Sequence, residues 1–231
     1  MNADKEHTVI QDDLVAKEEP KFLVPSALST YPIIVPSDPE RWPLLEVPSQ
    51  EVTFPISDTD ASQIAAMDGV LDELDELAAG LAAIQIGYPK QIFLLRNGPK
   101  NEQGKPTNKT YINPLIVYRS KASTADQEAC LSIPGLATRC KRPKELTLRY
   151  QDIEGKTQEE TFTGFWSRAV MHEMDHLSGV LILSHLEREM GKTVRRTKFG
   201  MKLTPHRLKV IANRRRLNKN ARKERRRQRT G

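Results

Sequence analysis

Of the 36 Lys and Arg residues in this 231-residue chain, 17 lie between Lys192 and Gly231, where Glu224 is the single acid. A segment with a net charge of +16 cannot shed its water to form a core. Any compact fold must therefore come from the 191 residues before it, whose 19 bases and 29 acids leave a net −10. The pI near 9.3 belongs to the tail, and so does any attraction to anionic partners. The remaining body is long enough to bury one sizeable core.

No apolar run approaches the roughly 20 residues that a membrane span requires. The first twenty residues hold Asp4, Glu6, Asp12, Asp13, Glu18 and Glu19 against Lys5 and Lys17. That pattern is unlike a secretory or organelle-import signal, so a cytoplasmic address is expected. Cys130 and Cys140 are the only cysteines, too few for a disulfide framework and free to bind metal.

Along the body, residues 1–25 are polar and acidic without apolar period, and are expected to be disordered. Prolines then punctuate Val24 to Pro55, which predicts an extended segment lying on the core. From Ser57 or Asp58 a helix is predicted, with Ile64, Met67, Leu71, Leu74 and Leu77 at steps of three and four along an apolar face. Strands are predicted at 91–96, 110–118, 145–151 and 159–165, the last two joined as a hairpin through the turn at Gly155. A second helix, starting near Phe165 or Trp166 and ending around Gly179, carries "VMHEMDHLSG".

That motif holds the chemistry. On a helix, His172 and His176 project from one face and can offer two imidazole nitrogens to one ion. Glu173 lies beside them, within reach of a water whose pKa the ion lowers, which is the arrangement of metal-assisted hydrolysis. A third ligand is needed, and Cys130, Cys140, His185 or a carboxylate could supply it. Cys130, in a stretch of small residues and proline, could be held at a strand end, whereas Cys140 reads as a buried core thiol. Asp175 points about 100° away from His176 round the helix and fits a supporting partner better than a ligand.

Three blocks, "GLAAIQIG" at 80–87, "EACLSIPG" at 128–135 and "HEMDHLSG" at 172–179, occur in an order and spacing that resembles the peptide deformylase family. The resemblance implies an α+β fold with antiparallel sheets around a central helix carrying the HExxH motif. It implies a catalytic domain at 26–191, followed by the basic extension 192–231. It also implies removal of the formyl group from the N-terminal formylmethionine of nascent polypeptides. By the same resemblance Cys130, His172 and His176 ligate one divalent ion, Fe²⁺ in the first place, with Ni²⁺ or Zn²⁺ also able to serve. Glu173 is then the general base, Gln85 and the backbone N–H of Leu131 are the oxyanion donors, and Gly80 and Glu128 are substrate-binding residues. The chain departs from the family's usual blocks at Ala78, Ala129 and Met171, where Gly, Gly and Gln are common. Ala129 is the departure expected to matter most, since a methyl there could restrict the approach of a peptide.

In the tail, Pro205 suits the first turn of a helix, but Leu208, Ile211 and Leu217 form only a thin apolar stripe. No aromatic follows Phe199, so contacts to phosphate are expected rather than stacking on bases. Ribosomal RNA, reached through 205–231, is the most economical partner for an enzyme of nascent chains. Two other classes remain possible for the same residues: an inactive deformylase-like RNA-binding protein, marked by absence of metal, and a general HExxH metallopeptidase, marked by cleavage of unformylated peptides.

Overall fold

The computed structural model of the chain describes residues 9–10 and 33–185. The expectations for the rest of the acidic 1–25 segment and for the basic extension 192–231 lie outside the described residues. The chain falls into two compact units, Met1–Leu186 and Glu187–Gly231, and the description here is of the first. No helix among the described residues is long and apolar enough to cross a membrane.

The fold mixes two helices with largely antiparallel sheet. A six-stranded sheet runs in the order β1 (Val9–Ile10), β8 (Thr157–Thr163), β7 (Glu145–Gln151), β4 (Lys109–Arg119), β3 (Ile92–Leu95), β2 (Gly80–Ala82). The pairing of β1 with β8 is parallel, a departure from the all-antiparallel expectation that periodicity alone could not reveal. A separate two-stranded sheet pairs β5 (Ser123–Ala129) with β6 (Ala137–Pro143), from Ser123 opposite Pro143 to Ala129 opposite Ala137.

Helix α1 (Asp58–Leu74) starts where Ser57 and Asp60 cap one another: Asp60 N donates to Ser57 Oγ, and Ser57 N donates to Asp60 Oδ2. It buries Ile64, Met67, Val70, Leu71 and Leu74 against Leu81, Ile92, Leu94 and Ile112. Leu77, expected on this face, is instead exposed. The helix stops at Leu74 because Asp75 takes a positive φ, and the 3-10 turn Asp75–Leu77 swings Leu77 off the stripe. Arg96 closes the end, donating to the Leu71 carbonyl at 2.7 Å and to Asp75 Oδ1 at 2.9 Å.

The proline-punctuated segment does lie on the core, with Ile33, Ile34, Leu45 and Val52 buried. It is not extended throughout, since a 3-10 helix spans Trp42–Glu46 with Pro43 in its first turn, where a missing N–H costs nothing. Helix α2 (Gly164–Leu177) sits against strands from both sheets. It ends at Ser178, and Gly179 follows at φ 67°, in the left-handed region that L side chains avoid. A Cβ on Gly179 would also lie 2.5 Å from the Glu46 carbonyl oxygen, so the N-terminal segment closes over the helix end only because this residue is glycine. The Ser49 N–H donating to the Leu177 carbonyl completes that junction.

Candidate metal centre

Helical spacing puts His172 and His176 on one face of α2, their ring centroids 5.0 Å apart and steeply inclined at 70°. The end of β5 brings Cys130 to the same place, its Sγ 3.3 Å from His176 Nε2. One donor atom from each of Cys130, His172 and His176 lies within 4.8 Å of the others. The other cysteine and the other histidine considered as ligands are elsewhere. Cys140 is wholly buried in β6, where burial and then the nearby Glu128 charge push its thiol up to about 12. His185 Nε2 is 2.7 Å from Asp175 Oδ2.

Electrostatics in the triplet favour a cation. Burial opposes ionisation of Cys130, yet the charge of His176 and hydrogen bonds with both imidazoles bring its thiol down to about 5. Burial likewise opposes charge on His172, and Cys130 and Glu128 override it, raising the imidazole well above its ordinary value. A thiolate beside a protonated imidazole is a negative centre balanced by protons, which a divalent ion can replace. A thiolate and two imidazoles also form a donor set suited to iron, nickel or zinc, so the residues present fit a metal.

Glu173, one residue along α2 from His172, is buried, and its Oε2 has no hydrogen-bond partner among the described residues. Burial raises its carboxyl above the usual range, with the two histidines pulling the other way. Gly80 makes the room for it. A Cβ at position 80 would meet Glu173 Oε1 and Leu95 Cδ2 at 2.8 Å and the Leu94 carbonyl oxygen at 2.9 Å. The space that a side chain at this position would fill is taken in part by Glu173.

Gln85 lies in the 3-10 turn Ala83–Ile86 that follows β2, almost fully buried. The Ala82 N–H donates to its Oε1 at 2.9 Å, which fixes the amide so that Nε2 donates toward Ser132 Oγ at 3.2 Å, with Cys130 Sγ 3.9 Å away. Leu131 follows Cys130 in a turn closed by the Ile133 N–H donating to the Cys130 carbonyl at 2.9 Å.

Glu128, for which the resemblance implied a substrate-binding role, sits in an ion-pair cluster. It is buried, and Arg142 donates to it through Nε at 2.8 Å and Nη2 at 2.7 Å. Arg168 adds a third bond at 2.9 Å, and His172 Nδ1 lies 3.2 Å from Oε2. Both oxygens are engaged, and the contact to Nδ1 places Glu128 where it can orient the His172 ring. Burial works against its ionisation, but the Arg142 bonds and the His172 contact hold the carboxyl well below the usual range.

Arg142 and Arg168, which sequence reasoning did not single out, are thus part of the site. Alternation along β6 contained the signal for Arg142: Thr138 and Cys140 face inward, and a step of two carries Arg142 to the same side. Of the three departures, Ala78 is buried in the core with α1, Met171 is half-buried, and Ala129 is exposed on the last rung of the β5–β6 sheet.

Fold and site together define the class, a mixed α/β protein with a cysteine and two histidines of an HExxH helix gathered around a buried glutamate. The polypeptide deformylase family model matches residues 31–192, and the chain belongs to that family. A peptide deformylase of Phenylobacterium zucineum is 35% identical over 140 residues, covering 60% of this chain and 82% of that one. The crystal structure of peptide deformylase from Thermotoga maritima superposes with a TM-score of 0.57 at 30% identity, over 67% of this chain and 95% of that one. A class I type b peptide deformylase from Acinetobacter baumannii, solved with Met-Ala-Ser bound, gives 0.56 at 25% identity, over 67% and 96%.

Proposed function

We propose that Cys130, His172 and His176 hold one ferrous ion and that the side chains around them remove the formyl group from N-terminal formylmethionine of nascent chains. The observation that carries this reading is a buried Glu173 whose Oε2 has no hydrogen-bond partner among the described residues, next in sequence to one of three convergent donors. A divalent ion in such a site supplies Lewis-acid polarisation and lowers the pKa of water. His172 would offer Nε2 to the ion, since Nδ1 lies 3.2 Å from Glu128 Oε2, and His176 would offer Nε2, which lies 3.3 Å from Cys130 Sγ.

Glu173 takes the proton from the water that attacks the formyl carbon. As the carbon becomes tetrahedral its oxygen gains negative charge, to which Gln85 Nε2 and the Leu131 N–H donate. Such donors are worth about 2.7–4 kcal/mol each when pre-aimed, and Gln85 is locked by the Ala82 N–H. Glu173 then delivers its proton to the departing amine, the C–N bond breaks, and formate and a free methionyl terminus result. The Met-Ala-Ser bound to the Acinetobacter relative has that kind of terminus.

The test is formate release from a formyl-Met tripeptide by anaerobically purified protein with Fe²⁺ or Ni²⁺, beside Glu173→Ala. Release by the wild type and its loss in the variant support the reading. A metal-loaded wild type that releases none overturns it. The basic 205–231 segment is proposed to hold the enzyme on ribosomal RNA in the cytoplasm, on the strength of its charge. Unchanged ribosome binding after its deletion would sink that part.

A further inference from the structure

A continuous chain of hydrogen bonds and ion pairs runs away from the ligand set and ends at His185. His172 Nδ1 meets Glu128 Oε2 at 3.2 Å, the same oxygen that accepts from Arg142 Nη2 at 2.7 Å. The other arm of that guanidinium, Nη1, donates to Asp175 Oδ2 at 2.7 Å, and His185 Nε2 reaches the same Oδ2, also at 2.7 Å. Arg142 is fully buried, while the Asp175 side chain keeps 21% of its exposure. Asp175 is the most exposed link of this chain, and His185 joins Arg142 in holding it through the same oxygen. Leu181, Ile182 and Leu183, the residues just before His185, are all buried, which anchors the backbone that carries it.

We propose that His185 is a positioning residue for the metal centre: by holding Asp175 it fixes the Arg142 fork, and through Glu128 it sets the ring plane and tautomer of His172. The proposal rests on reading His172 as a metal ligand. Its physical basis is that a planar guanidinium bonded on both sides cannot rock, whereas one released at Nη1 can turn about its remaining bonds to Glu128. A tilt there moves Oε2, the acceptor that keeps the His172 proton on Nδ1 and leaves Nε2 for the ion. A single N–H at the Nε2 position is all the role needs, so glutamine, whose amide nitrogen reaches to a similar distance, can replace histidine.

The test uses the full-length protein with His185→Phe, His185→Ala and His185→Gln, and measures Zn²⁺ and Co²⁺ affinity by competition with a chelator. The visible absorption bands of bound Co²⁺ provide a second readout. Removing a direct partner of a metal-binding histidine weakens metal binding roughly 10- to 100-fold. One link further out, His185→Phe is expected to weaken it roughly 3- to 10-fold and shift the Co²⁺ bands, and His185→Gln to restore both. Wild-type affinity in His185→Phe overturns the proposal, and so does a Gln variant as weak as the Phe variant. If His185→Ala fails to fold, the Phe and Gln pair decides. A wild type that retains no ion at all sinks the ligand reading itself, and this proposal with it.

Discussion

Glu128 and Glu173 are both buried carboxylates beside the histidines, and they are surrounded in opposite ways. On the hairpin side, Glu128 of β5 is met by the Arg142 guanidinium from β6 and by Arg168 and His172 from α2, so its charge is compensated and both its oxygens are engaged. On the β2 side, Glu173 faces the empty Cβ position of Gly80 and the side chain of Leu95, and one of its oxygens has no partner among the described residues. The first environment makes a carboxylate a permanent anion that can only position its neighbours. The second leaves one able to gain and lose a proton, which is what a general base requires. The residue type does not assign the role; the company it keeps does.

That contrast is testable from its strongest element downward. Glu173→Gln is expected to lower kcat by about 10²- to 10⁴-fold while bound metal, measured by elemental analysis, stays at the wild-type level. Loss of the metal in that variant would erase the distinction between reactive and positioning carboxylates. Glu128→Gln should do the reverse. It leaves Arg142 and Arg168 buried with a charge removed, at a cost of about 3–5 kcal/mol in denaturant unfolding, with metal held less tightly.

Gly80→Ala sharpens the comparison from the other side, because the added methyl must displace Glu173 Oε1 or backbone at Leu94. An overpacking cost of about 1–3 kcal/mol is expected, together with a fall in kcat larger than any change in KM. An Ala variant with wild-type kcat would show that Glu173 does not depend on the space at position 80.

Asp60 supplies a milder third case, a buried carboxylate served by neutral donors. Burial opposes its ionisation, but Ser57 and the Tyr88 hydroxyl, donating at 2.6 Å to Oδ1, bring its carboxyl below 3.8. Tyr88→Phe should cost about 1 kcal/mol at neutral pH. Because the folded value is the lower one, Asp60's contribution is present above its unfolded value and drains as pH falls through the folded one. The gap in Tm between wild type and Tyr88→Phe should therefore narrow as pH is taken from about 6 to about 3. A gap that widens toward acid would refute the assignment.

Elements with a long, regular hydrophobic period were legible before any coordinates. Helices α1 and α2 and the β7–β8 hairpin fall within a few residues of where spacing and Gly155 put them. The hairpin β5–β6 was not recognised as a pair, because "STADQEA" is exposed at almost every position and shows no alternation. Strand β2 is three residues long, too short to display a period, and its place is decided by pairing with β3. The ion-pair environment of Glu128 was not foreseen for a related reason. The partners that define it, Arg142 and Arg168, stand 14 and 40 residues away, and no local pattern announces them.

From sequence alone it followed that two imidazoles share a helix face with a glutamate beside them, and that the positive charge is concentrated after Lys192. Both are consequences of fixed geometry or charge density along a single stretch of chain. Which cysteine joins the histidines, which glutamate is saturated and which is bare, and where His185 reaches were decided only when β5, β6 and β2 were packed around α2. Side-chain direction is a local property of an element, but burial and electrostatic company are properties of whatever else is brought against it.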